Sequence, residues 1–169
     1  MPQPSRLRGL VDKAIDLAGK IPDSAIAALG RFSVAAIFWK SGQTKVEGFS
    51  IDLIERSFSI GLPHLSASAV DLFRDEYHLP LLDPALAATA AAFAEHFFPV
   101  LLLLGLGTRF AALALFGMTM VIEVFVYPDA YPTHGVWATV LLFLIARGGG
   151  VLSLDHLIAR RASMSVVTR

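Results

Sequence analysis

The chain has no cysteine and little charge: of its 169 residues, 17% are Asp, Glu, Lys or Arg, against roughly 25% in an ordinary soluble domain. Without cysteine there is no disulfide, thiolate metal ligand, iron–sulfur ligation or thiol relay within the chain. Any electrons it handles travel on something it binds. Fourteen basic residues meet fourteen acidic ones, so the basic surplus that nucleic acid requires is missing and nucleic acid is not an expected partner. A preformed metal site is missing too. None of the five histidines forms an HxxxH pair, and Met118 and Met120 lie about 200° apart round a helix, so no intrinsic metal is expected.

What is present is oil: 55% of the residues are hydrophobic. Four stretches match the roughly 20 residues needed to cross a bilayer: Ser24 to Thr44, Pro84 to Leu106, Arg109 to Tyr127, and Pro132 to about Leu152. The expected fold is all-α, an integral membrane four-helix bundle forming one domain over 1–169, with polar tails at 1–23 and 153–169. In the last stretch Arg147 snorkels beside three glycines.

With both termini in the cytoplasm, ten of the fourteen basic residues fall on or near the inner side, the arrangement that the positive-inside rule favours. Only Lys40, Lys45, Arg56 and Arg74 fall outside, within a long connection that also carries seven acidic residues. Arg6, Arg8 and Lys13 precede no immediate apolar core, and the first apolar run ends in WKSGQTK instead of a small-residue cleavage site, so the first span is expected to stay.

Leu10, Ala14, Leu17 and Ala18 predict a short amphipathic helix ahead of Pro22. Residues 46–83 are too polar to span and too apolar for a solvated linker. Phe49, Ile51, Leu53, Ile54 and Phe58, then Leu65 to Leu82, predict short amphipathic helices on the outer surface, the second beginning at a Ser68–Asp71 capping box. The alanines of 85–94 are read as a face for close helix approach. YPDAYPTHG is a short rigid outer loop, and Ser153 caps a last surface helix with Arg160 and Arg161 toward lipid phosphates.

Arg31, Phe38 and the SGQTK turn with Gly42 and Lys45, then EHFFPVLLLLGLGTRFAAL, VFVYPDAYPTHG and ARGGGVLSLDHLI, resemble the DoxX family of small four-helix bacterial membrane proteins. The resemblance covers about residues 25 to 158 and is most specific in YPDAYPTHG and GLGTR. It implies the bacterial cytoplasmic membrane and an accessory role, quinone-linked or metal-linked, because the family is similar to the small subunit of an archaeal thiosulfate:quinone oxidoreductase. Some members accompany redox-stress proteins and others accompany enzymes that modify copper-binding peptides. The family supplies no catalytic motif to transfer, and Glu123 departs from the neutral amide expected there.

The polar residues within the spans are the candidate site, since an ionised side chain at the bilayer centre costs at least ~2.5–3.5 kcal/mol. Glu95 lies roughly 16 Å below Pro84 and Arg31 roughly 20 Å below Thr44 at 1.5 Å per residue, so the two are expected within reach. Pro99 releases the carbonyl of Glu95. That carbonyl, the carboxylate and His96 are expected to form one polar spot, with Arg31, Glu95, His96 and Glu123 as ligand or proton-relay candidates. Lys40 either pairs with Glu123 or snorkels. Tyr127, Asp129, Tyr131 and His134 are read as an aromatic belt with loop hydrogen bonds, or, with Lys40, as the outer rim of the site.

Two functions remain open. In the first, the protein binds a quinone or similar apolar redox ligand and works with a redox partner protein. In the second, it is a non-catalytic scaffold whose outer segment docks a partner, a metal-handling or peptide-modifying system included. A proton or metabolite carrier is a third reading; it would require an oligomer, because four helices leave little room for a pore.

Overall fold

The computed structural model describes residues 6–52 and 56–167. Leu53 and Ile54, and the terminal Arg169, lie outside the described residues. Helix α1 (Arg6–Ala18) stops at Gly19, and α2 (Asp23–Gln43) leaves at a bend of 62°. Its buried positions Ala27, Arg31, Val34, Phe38 and Gly42 recur every three or four residues, a single helical stripe. Helix α4 (Pro84–Leu104) is started by Asp83, whose carboxylate accepts from the amides of Ala85 and Leu86 at 3.0 Å each. It ends at Gly105, whose φ of 65° suits glycine. Helices α5 (Thr108–Phe125) and α6 (Tyr131–Arg147) follow, joined by a short 3₁₀ turn at Pro128–Ala130.

Helix α2 packs against α4 and α6, and α5 packs against the same two helices. Their common core includes Val34, Phe38, Leu102, Leu115, Leu141 and Leu144. Outward, Phe32, Leu86, Phe93, Phe110, Leu113 and Val124 are exposed, as expected where lipid replaces water. Among the described residues α4 and α5 are each long and apolar enough to cross a membrane, and α1 with α2 passes as a bent pair. Helix α6 stops at 17 residues. It ends earlier than the expected Leu152 because Gly148 and Gly150 turn to φ 76° and 73°, a conformation helices do not continue through.

The segment after α2 corrects the expectation of surface helices. Residues Val46–Asp52 (β1) and Ser57–Leu65 (β2) pair as an antiparallel hairpin, with Phe49 opposite Ile60 and Ile51 opposite Phe58. The physical reason is legible in retrospect: VEGFSID and SFSI alternate in character with period two, while Gly48, Gly61 and Pro63 oppose a helix. Among the described residues of this segment, only Ala67–Leu72 (α3) and the π-turn Phe73–Tyr77 are helical. The Ser68–Asp71 box does not form. Ser66 occupies the cap position, Ser68 bonds to Ser66, and Asp71 pairs with Arg74. The last helix, α7 (Leu154–Val167), is capped as expected, with Ser153 Oγ accepting from the His156 amide at 3.2 Å.

Candidate functional site

Helix α2 ends beside the middle of α4, not beside its start. At the crossing, a Cβ on Gly42 would lie 2.9 Å from the His96 ring and 3.0 Å from Glu95 Cβ, so only glycine lets the helices meet this closely. The chain then turns and Lys45 reaches back. Its Nζ lies 2.8 Å from Glu95 Oε2, with both side chains about 5% exposed. Ser41 Oγ donates to Glu95 Oε1 at 3.1 Å, and Lys45 Nζ donates to Ser41 Oγ at 3.1 Å. The ammonium lies against Oε2 as a charge-assisted contact, and because a carboxylate oxygen has two lone pairs it keeps one further acceptor site.

This corrects the expected Arg31–Glu95 pair. That pair assumed Thr44 and Pro84 at one level, whereas the crossing sets Gly42 level with Glu95 and sends Arg31 to the opposite end of α4. There Arg31 donates to the carbonyls of Leu102, Leu103 and Leu152, placing a cation on the negative C-terminal end of α4. Asp155 closes the same end, accepting from the amides of Gly107 and Thr108 at 2.7 and 2.9 Å. Burial pushes the Asp155 carboxyl up, but the Thr108 and Gly107 donors outweigh it and hold it below the ordinary aspartate value.

His96 spends its ring nitrogens on groups other than the Glu95 carboxylate. The carboxamide oxygen of Gln43 accepts from the Ile51 amide at 2.7 Å, which turns its NH₂ toward His96 Nε2 at 2.8 Å. Nδ1 then carries the proton and donates to the Ala92 carbonyl at 2.7 Å. Both ring nitrogens are occupied, and Trp39 stacks edge-on at 5.0 Å. His96 ties α2, β1 and α4 together.

Above the Lys45–Glu95 pair opens a cavity of about 400 Å³, within the ~300–1,000 Å³ of small-molecule sites. Glu95, Lys45 and Ser41 sit on its wall with Tyr77, His134 and Trp137. Ala87, Ala90, Ala91 and Ala94 also line it, so part of the alanine run makes room where close helix packing was expected. His134 Nδ1 donates to Glu123 Oε2 at 2.7 Å, a largely buried pair between α6 and α5. Glu123 is therefore held by His134, while Lys40 points outward and is exposed. Of the expected rim residues, Tyr127 and His134 line the cavity; Asp129 and Tyr131 are exposed outside it. Tyr127 hydroxyl donates to Glu76 and its ring meets Tyr77 edge-on at 5.7 Å.

Sequence reasoning missed Lys45, Ser41, Tyr77 and Trp137 as cavity residues. Their one local signal was the SGQTK turn, where Ser41 and Lys45 stand four apart across a glycine. Apolar helices with buried charges around a cavity define a helical membrane protein. The DoxX family model matches residues 26–128, and the chain belongs to that family. No curated protein and no solved structure matches it.

Proposed function

We propose that this protein is a four-span bundle in the bacterial cytoplasmic membrane, both termini cytoplasmic, holding a quinone or similar apolar redox ligand in the Glu95 cavity and serving a redox partner protein. The cavity carries the reading: its lining is mostly apolar, and one patch of it holds a buried carboxylate beside an ammonium. Ser41, Lys45 and Glu95 are the groups that fit a ligand head with oxygens. When bound, a quinone would supply the electron-carrying capacity that a chain without cysteine lacks. Lys45 Nζ would donate to a ligand oxygen, Glu95 would hold or release a proton beside it, and the alanines and Trp137 would exclude water from the ring.

Mass spectrometry of the organic extract from protein purified in mild detergent tests this. We expect stoichiometric apolar ligand in the native chain and its depletion in folded Glu95→Gln. Equal ligand in both samples would remove the head from Glu95. The second reading, a scaffold without chemistry, is favoured by the closed Ser41–Lys45–Glu95 set, which satisfies its charges internally. It predicts ligand-free native protein.

A further inference from the structure

We infer that one face of the β1–β2 hairpin is seated against lipid, so that the hairpin is a membrane-contacting wedge. Cross-strand register sets two faces. Phe49 and Ile60 stand opposite each other, as do Ile51 and Phe58, whereas Ser50 pairs with Ser59 on the other side. The apolar face begins against protein: Phe49 meets the Trp39 and His96 rings at 6.4 Å each, and Trp39 Nε1 donates to the Ile51 carbonyl. It then runs past the edge of the protein. Phe58 is 61% exposed, Ile60 88% and Leu62 91%.

A two-stranded hairpin is at best marginally stable alone in water, and these side chains find too little protein to bury them. Lipid is the occupant that the surroundings specify. Ile60 shares a cleft with Phe93 of α4, and Phe93 belongs to an exposed stripe with Leu86 and Phe97, spaced seven and four residues along one helix face. Helix α4 is apolar and long enough to cross a membrane, and the hairpin row meets its exposed stripe at Phe93. The α4 residues of this cleft, Thr89, Phe93 and His96, lie about 8, 14 and 18 Å along α4 from Pro84, so the hairpin lies alongside the helix and not beyond its end. The serine face looks to water. Pro63, without an amide hydrogen, reduces the donors left on the β2 edge.

The cysteine-free chain makes the test direct. Ile60→Cys and Ser59→Cys, each carrying a nitroxide, are reconstituted as the full chain in phosphatidylcholine–phosphatidylglycerol nanodiscs. Accessibility to oxygen, which concentrates in lipid, is compared with accessibility to a water-soluble nickel chelate. The expected result is a several-fold higher oxygen-to-nickel ratio at position 60 than at position 59. High nickel access at both would place the hairpin in water, and shielding from both reagents at position 60 would mean a protein surface covers it; either overturns the inference. The Phe58→Cys and Ser57→Cys pair gives the same readout if Ile60→Cys does not fold.

Discussion

Arg31 and Glu95 are both charged, both buried and carried on facing helices, yet the two ends of the molecule use them differently. At the α4 C-terminal end, Arg31 fills the last carbonyls of α4 and Asp155 fills the first amides of α5. These bonds close two helix ends, and a Cβ on Gly105 would meet Ser153 Cα at 2.8 Å. At the hairpin end, Glu95 meets Lys45 across a cavity wall and Glu123 meets His134 beside it. Charge at a helix terminus completes a backbone, whereas charge in mid-helix needs a side-chain partner and leaves a shaped space. Burial alone did not distinguish them.

The comparison can be broken by substitution. Gly105→Ala is expected to have the largest effect, about 1–3 kcal/mol for the left-handed backbone, and ~3–5 kcal/mol more if the guanidinium is driven off its carbonyls. Thermal unfolding in detergent measures it, and near-native stability would show that the Arg31 end is loosely packed. Lys45→Met strands Glu95 and should cost about 3–5 kcal/mol; combining it with Glu95→Gln should restore much of that. A double-mutant cycle without coupling would show that the pair is not formed. Gly42→Ala should cost roughly 1–3 kcal/mol by overpacking the crossing, with a change in Trp fluorescence as His96 shifts against Trp39.

The smallest effect belongs to Asp155. Because its folded-state value is depressed, its contribution is complete above the unfolded value, about 4, and is lost as pH falls through the lower folded value. Asp155→Asn should cost about 1 kcal/mol and flatten stability against pH in that acid window. A variant that keeps the native acid slope would assign the slope elsewhere.

Much of the helical framework was legible because apolar runs and their punctuation are local. Asp83–Pro84, Gly105 and the Gly148–Gly150 run start and stop helices by backbone chemistry that needs no neighbour. Residues 46–65 were misread because their apolar content was counted and their alternation was not. Glu95 was found as a buried charge from its apolar surroundings, but its partner was not. Arg31 and Lys45 are both cations near α2, and choosing between them requires the vertical offset of two helices. Tyr77 and Trp137 carry no local mark of a cavity.

The sequence by itself determined the membrane class, the principal helices and which residues would be costly to bury, since hydrophobic length, glycine and proline act within a few residues. Tertiary structure decided that Lys45 and not Arg31 meets Glu95, that His96 is spent on Gln43 and Ala92, and that part of the alanine run opens a cavity. Those outcomes depend on where α2 crosses α4, which is set by the fit of Gly42 against Glu95 and His96, fifty-three residues or more along the chain.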